Sequence, residues 1–367
     1  MKIARIRLFA APLPIKGGPW RWGKGFEMHA GTAHVVALDS DTGLTGWGES
    51  APMVAFYLPA HDKGIPAVLA ELAPHLLGLD PRNPAAVDAE MDRWLHGHAY
   101  AKSAIDVACW DLAGRALGVP CHLLLGGRRL DAMPIFRTIP QPPHDDLDTR
   151  LADFRVQGFR YFQMKVGGDP SAEAARVRSV AGLLRPEESL IADANRGWRR
   201  DQALRFAHET RDLCLTFEQP CDSYDDCLSV RRRTSHVLKL DEAIKTADDL
   251  FRAIADDACD TVCVKIAKQG GLTKARLIRD ICAARGLPMT VEDVWGGEIA
   301  SAAVAHLAAS TPPDMLLNTT DLQNYNDGEI ATGAPTVADG CLIVSDRPGL
   351  GIEPVMAALG DPVAVYE

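Results

Sequence analysis

Five ionisable residues, Lys165, Asp193, Glu218, Asp241 and Lys265, each close a short apolar run, in YFQMK, SLIAD, CLTFE, HVLKLD and TVCVK. They recur at intervals of about 25 residues, the length of one strand–helix unit. Three are carboxylates in succession, and three oxygen donors brought to one point cannot all stay ionised unless a cation neutralises them. Ligands of this kind suit Mg²⁺, whereas zinc would recruit His or Cys. A lysine on either side of such an ion suits removal of a proton from the carbon next to a carboxylate. The metal would hold that carboxylate and stabilise the enolate, and its charge would lower a neighbouring lysine toward the pKa of a working base. Each carboxylate alone would serve equally as a helix cap, and each lysine as an ion-pair partner. The recurrence carries the reading.

Chemistry of this kind needs elements that bring the five residues together. Beyond residue 130 eight apolar runs, MPIFRTI, YFQMK, SLIAD, CLTFE, HVLKLD, TVCVK, PMTVED and MLLN, alternate with amphipathic segments. In one of these, Ala275, Ile278, Ile281 and Cys282 share a face and Arg276, Arg279 and Asp280 another. Gly158-Phe159 and Gly286-Leu287 stop two of the helices, as loops leading into strands prefer. Eight such units are the count of a (β/α)8 TIM barrel, in which all strand C-terminal ends face one mouth. The rival is a doubly wound open sheet. It usually has fewer units, and no G-x-G-x-x-G follows the first strand. Before residue 130 the texture differs: strands at KIARIRLFAAPL and AHVVALDS precede helices over 65–77, 84–95 and 101–117, an α+β arrangement. In the last helix Ala104, Ile105, Ala108, Cys109, Leu112 and Ala116 are expected on one apolar face. The expected organisation is an α/β chain with an N-terminal α+β capping domain over 1–125, a barrel over 126–345 and a C-terminal segment over 346–367.

Composition excludes several other classes. The 367 residues carry a net charge of -10, with Asp+Glu 49 against Lys+Arg 39. That balance opposes nucleic-acid binding. The nine Cys include no CxxC pair and read as reduced thiols of a cytoplasmic protein. Arg5 and Arg7 interrupt what would have to be the apolar core of a signal peptide, and no stretch reaches the length of a membrane helix. Neither nucleic acid nor membrane is an expected partner; a small carboxylate substrate and a homo-oligomer are.

The order Lys, Asp, Glu, Asp, Lys on successive barrel strands resembles the enolase superfamily, in particular its muconate-lactonizing-enzyme subgroup (mandelate racemase/muconate lactonizing enzyme-like). The similarity runs through GWGES (46–50), AKSAIDVACWDLAGRALGVPCHLLLGG (101–127), MKVGG, ADANRGW, FEQP, LDEA, VKIAKQGGLTKA and the terminal RPGLGIEP. It implies metal ligands at Asp193, Glu218 and Asp241 and acid/base roles at Lys165 and Lys265. Asn195 and Glu242 would orient those groups from behind. The family usually has Lys-x-Lys at the second strand. Here Gln163 takes the first position, which removes one positive charge from the vicinity of the substrate carboxylate. VEDVWGG lacks the histidine base of the acid-sugar dehydratases, and Lys265 stands where those enzymes carry Asp. Sugar-acid dehydration is not implied.

FEQPC, GHAYAKSAIDVA and EDVWGGEI are similar to segments of hydroxyproline-betaine epimerases and cis-3-hydroxyproline dehydratases. Trp295 is then expected to face a ring ammonium by cation–π attraction, with Glu292 or Asp293 assisting, and Tyr57 and the loop around Trp20 and Trp22 to close over the substrate. Plain packing is the alternative for each aromatic residue. His61, His96 and His98 read as structural or solvated. Three reactions stay open: epimerisation of a proline-type amino acid or betaine, dehydration of cis-3-hydroxy-L-proline, and dipeptide epimerisation. A non-catalytic barrel is the reading from another class, since a fold alone does not prove chemistry.

Overall fold

The apolar opening run forms β1 (Ile3–Pro14), paired antiparallel with β2 (Ala30–Ser40), which pairs in turn with β3 (Thr45–Ser50). The C-terminal strand Ala364–Tyr366 lies on the free edge of β1. A short hairpin, Trp20–Trp22 against Phe26–Met28, projects between β1 and β2. These features come from a computed structural model that describes residues 1–23, 25–57, 59–141 and 146–367. Three helices follow: α1 (Gly64–Leu76), α2 (Pro84–Trp94) and α3 (Ala99–Leu117). Both faces of the sheet are buried. Leu8, Val36 and Leu38 pack with Leu69, Leu72 and Ile105, while Phe9, Val35 and Trp47 join the core shared with the barrel.

The expected one-sided α3 is not what folds. Residues Tyr100–Gly114 are buried around its whole circumference, because the helix runs between the cap sheet and the barrel. Its approach to β3 is backbone against backbone. A Cβ on Gly46 would lie 2.3 Å from the Ala108 carbonyl oxygen, and one on Gly48 2.0 Å from that of Ala104. The glycines of GWGES are therefore demanded by packing.

Beyond the cap, eight parallel strands form one sheet: β4 (Phe136–Ile139), β5 (Tyr161–Lys165), β6 (Ser189–Asp193), β7 (Thr216–Glu218), β8 (Val237–Leu240), β9 (Thr261–Lys265), β10 (Met289–Glu292) and β11 (Leu316–Thr319). A bridge between Ile135 and Thr319 closes the sheet into a barrel. The outer helices are α4 (Leu147–Val156), α5 (Pro170–Ala181), α6 (Arg200–Glu209), α7 (Tyr224–Arg231), α8 (Ala247–Ala255), the single turn α9 (Ile266–Gln269), α10 (Leu272–Ala284) and α11 (Glu298–Ala309). Gly158 and Gly286 both stand at positive φ just past a helix, as the stop signals require. Arg279, expected on a polar face, is instead buried. Its guanidinium donates to the Leu125 carbonyl and to Ser310, joining α10 to its neighbours. All nine cysteines are unpaired. Among the described residues no helix is long and apolar enough to cross a membrane.

Cap and barrel are stitched by buried carboxylates. Glu49 accepts from the backbone N–H groups of Gly297 at 2.6 Å and Ala300 at 2.9 Å, supplying the cap that α11 lacks in its own sequence. Asp106 does the same for α10, accepting from the Thr273 backbone at 3.0 Å and from its hydroxyl. Asp111 accepts from Trp47 at 2.9 Å and Leu350 at 2.7 Å. These bonds fix where the cap loops sit over the mouth. Glu49→Ala would strand two buried donors, at a cost of about 2–4 kcal/mol. In calorimetry its Tm should fall by about 3–5 °C, and Glu49→Gln, which retains an acceptor, by less. An unchanged Tm for Glu49→Ala would show that the seam does not rely on this contact.

Candidate active site

Strand register sets Lys165 beside Asp193 and Asp193 beside Glu218. Asp241 lies one residue past β8, where its backbone N–H donates to the Gln219 side-chain oxygen at 2.9 Å. Three carboxylates are thus buried at the barrel mouth, and cations face each one. Lys165 Nζ donates to Asp193 Oδ2 at 2.6 Å. Lys265 Nζ donates to Asp241 Oδ2 at 2.6 Å, and Lys268 Nζ to Asp241 Oδ1 at 2.9 Å. Lys239 Nζ stands 3.3 Å from Glu218 Oε2. Oxygens of Glu218 and Asp241 lie within 4.8 Å of each other and of the Cys263 sulfur. Asp193 stays outside that cluster, held by Lys165 and by the Asn195 backbone N–H at 2.8 Å.

The electrostatics follow from burial among like charges. Burial, with Glu218 and Asp241 nearby, pushes the Asp193 carboxyl up to about 6, and burial with the Asp241 and Asp193 charges pushes Glu242 to about 8. Burial alone would also raise Asp241, but Lys265 and Lys268 outweigh it and hold it low. Burial alone would lower Lys165 and Lys265; the carboxylates beside them outweigh it and hold both raised. A divalent cation held among these carboxylates would oppose that rise, which is the lowering the sequence reading expects of a working base.

The remaining predicted residues converge on the same place. Trp20, Tyr57, Gln163, Asn195, Glu292, Asp293 and Trp295 all line the pocket above Lys165 and Lys265. Gln163 donates to Glu218 at 3.2 Å, and Asn195 to Glu242 at 3.2 Å. The Tyr57 hydroxyl accepts from Lys265 Nζ at 3.0 Å, so the cap reaches the barrel lysine directly. Trp295 stacks edge-on against Trp20 at 5.4 Å and donates its indole N–H to Asn326. Burial pushes Asp293 up to about 7 although two backbone N–H groups bond it. Glu292 Oε1 is buried and has no partner among the described residues. His61, His96 and His98 are exposed, apart from the site.

Several residues of the site escaped the sequence reading. Tyr325 and Phe136 complete the aromatic wall, beside Trp22 of the loop expected to close over the substrate. Lys239 and Cys263 sit beneath the mouth around Glu218, with the Cys263 sulfur 3.1 Å from Glu218 Oε1. A signal existed for these two: strand side chains alternate, so the residue two before each mouth residue shares its inward face. Lys268 sits on the single turn after Lys265. Gln219, the third residue of FEQP, holds the Asp241 loop from a left-handed backbone position with φ 32, a role the motif does not announce.

The geometry agrees with two matched family models. Residues 20–126 match the mandelate racemase/muconate lactonizing enzyme N-terminal domain, and residues 146–358 the enolase C-terminal domain-like family. The chain is 43% identical, over 100% of both chains, to a cis-3-hydroxy-L-proline dehydratase of Roseibium aggregatum. A crystal structure of a mandelate racemase/muconate lactonizing enzyme from Roseovarius nubinhibens superposes with TM-score 0.97 at 45% identity, covering 100% of this chain and 98% of that one. A second structure from the same organism, complexed with magnesium, gives 0.95 at 38% identity over 100% of each chain.

The Lys239–Glu218 pair makes a direct prediction. Lys239→Met would remove the ammonium 3.3 Å from buried Glu218, and breaking a buried pair in this way costs about 3–5 kcal/mol. Urea unfolding should show the midpoint falling accordingly. A midpoint at the wild-type value would mean that Glu218 does not depend on Lys239 for its charge balance.

Proposed function

The chain belongs to the mandelate racemase/muconate lactonizing enzyme family of the enolase superfamily, and on that footing we propose that it dehydrates cis-3-hydroxy-L-proline. One observation carries the proposal: Lys165 ends β5 and Lys265 ends β9, four places apart in a ring of eight strands, so they flank the pocket from opposite sides. In the cis-3-hydroxy isomer the hydroxyl shares a ring face with the carboxylate, which leaves the α-hydrogen on the other face. Proton and hydroxyl therefore depart from opposite faces, and two opposed lysines serve both.

Asp193, Glu218 and Asp241 would hold Mg²⁺; three buried carboxylates balanced by lysine ammonium groups fit a hard divalent cation. Bound there, the ion would supply the charge that stabilises the enolate form of the substrate carboxylate and favours a neutral lysine beside it. One lysine, as the free amine, takes the α-proton. The C–H electron pair becomes the new C=C bond as the C–O bond breaks. The opposite lysine, as the ammonium, gives its proton to the departing hydroxyl, which leaves as water. Trp295, Trp20 and Tyr325 would face the ring ammonium, worth about 0.5–2 kcal/mol, and the unpartnered Glu292 oxygen would accept from it.

Epimerisation of a proline-type amino acid or betaine is the second reading, favoured by the same opposed lysines: one removes the α-proton and the other returns it to the far face. Proton NMR in D₂O with Mg²⁺ separates the two. Conversion of cis-3-hydroxy-L-proline to an unsaturated ring acid supports dehydration. Deuterium at the α-position of L-proline or its betaine with a new stereoisomer, and no loss of water, would replace it with epimerisation. Lys165→Ala and Lys265→Ala should each lower kcat by about 10²–10⁴-fold; full activity in either would remove that lysine from the proposal.

Metal affinity should depend on pH in a stated direction. With its carboxyl pushed up to about 6, Asp193 carries a proton below that pH, and Mg²⁺ must displace it. Calorimetric affinity should be level above pH 7 and fall by up to about tenfold per pH unit below 6. Affinity unchanged from pH 5 to 8 would take Asp193 out of the ligand set.

A further inference from the structure

The two oxygens of each candidate metal ligand have different neighbours. Asp193 Oδ1 accepts from the Asn195 backbone N–H at 2.8 Å, and Oδ2 from Lys165 at 2.6 Å. Glu218 Oε2 accepts from the Gln163 amide at 3.2 Å and faces Lys239 Nζ at 3.3 Å, whereas Oε1 meets the Cys263 thiol at 3.1 Å. Asp241 Oδ1 accepts from Lys268 at 2.9 Å, while Oδ2 accepts from Lys265 at 2.6 Å and from the Tyr57 hydroxyl at 3.5 Å. In each carboxylate, one oxygen is held by a group that takes no part in the proposed reaction. The other faces Lys165, Lys265 with Tyr57 beside it, or a thiol, which is a weak donor.

Lys268 is fixed by its own surroundings. The turn α9 sets it three residues after Lys265 and on the same side, so the two lysines divide the oxygens of one carboxylate. Gly270 and Gly271 close that turn at φ 100 and 125, and a Cβ on Gly271 would lie 2.3 Å from Asp106 Oδ2. Lys268 is 4% exposed, and its Nζ also donates to the Asp241 backbone oxygen at 2.6 Å and to the Cys263 carbonyl at 3.4 Å. Release of Asp241 Oδ1 would take a partner from a buried ammonium. A carboxylate held in this way offers a cation its other oxygen alone. Mg²⁺ demands a near-regular octahedron at about 2.1 Å, which single oxygens suit; Ca²⁺ takes about six to eight oxygens and gains from a carboxylate that chelates through both. Resting on the metal site proposed above, we propose that Lys268 is a specificity-determining residue for the ion. By keeping Asp241 Oδ1 it restricts the aspartate to one oxygen and favours Mg²⁺ over Ca²⁺. The Asn195 N–H and the Gln163–Lys239 pair restrict Asp193 and Glu218 in the same sense.

The test is calorimetric titration of Mg²⁺ and of Ca²⁺, separately, into the full metal-free chain at one fixed pH. The wild type is expected to bind Mg²⁺ more tightly. Lys268→Met should raise the ratio of Ca²⁺ to Mg²⁺ affinity roughly tenfold or more, because Asp241 regains its second oxygen. Loss of one positive charge acts alike on two ions of equal charge, so the ratio reads coordination and is blind to a general change in affinity. Lys268→Arg keeps the donors, and the cavity of about 580 Å³ that Lys268 borders leaves room for the longer side chain; its ratio should stay within about threefold of the wild type. The proposal is overturned if Lys268→Met keeps the wild-type ratio, or if Lys268→Arg raises it as far as Lys268→Met does. Loss of both ions in Lys268→Met would also overturn it, assigning Lys268 to the shape of the Asp241 turn. A wild type that binds Ca²⁺ as tightly as Mg²⁺ would overturn it without any variant. A wild type that binds neither ion would instead remove the metal site itself, and this role of Lys268 with it.

Discussion

Like charge held out of water at the barrel mouth is the constraint from which most of the structure follows. Asp193, Glu218 and Asp241 are buried side by side, and carboxylates so placed repel one another strongly unless positive charge lies among them. Four lysines supply it from three directions: Lys165 from β5, Lys239 from beneath on β8, and Lys265 and Lys268 from the turn that begins where β9 ends. Two of these lysines, Lys165 and Lys265, are the acid and base of the proposed chemistry. A divalent cation entering such a site would displace ammonium groups from the carboxylates they now face, so metal entry and the freeing of a lysine are two sides of one charge balance.

The cap is tied to that balance at one point. Tyr57, carried on the loop after β3, bonds Lys265 through its hydroxyl, while Arg196, on the loop after β6, bonds the Tyr57 carbonyl and lies 5.7 Å from its ring. Barrel charge and cap aromatic residue therefore position each other. Asn195, Arg196 and Gln219 all sit at positive φ immediately after carboxylate-bearing strands. Such strain persists only where surrounding contacts over-determine it, and here the contacts are those that hold the Asp193 and Asp241 loops.

What was legible in the sequence is what repeats. Eight apolar runs became eight strands, and five charged strand ends met at one mouth, because an ionisable residue closing an otherwise buried strand has nowhere else to face. Trp295 was legible through its motif, EDVWGGEI, and Trp20 and Tyr57 through their place in the cap. Illegible features depended on neighbours distant in sequence. The circumference of α3 is buried because two layers enclose it, which no helical periodicity encodes. Arg279 turned inward because carbonyls of Leu125 and Ser310 awaited a donor there. Lys239 and Cys263 stand two residues before Asp241 and Lys265, so the period of two along a strand gives them the same inward face.

The seam between the two parts has a consequence for how this architecture diversifies. Glu49, Asp106 and Asp111 each address main-chain amides across or along the seam, at Gly297 and Ala300, Thr273, and Trp47 and Leu350. A peptide N–H is the same in every sequence apart from proline. The donors at the joint are therefore set by backbone position, and three carboxylate acceptors act as a plug for a socket made of main chain. Side chains on the loops above can then vary while the three acceptors keep the cap in register over the barrel.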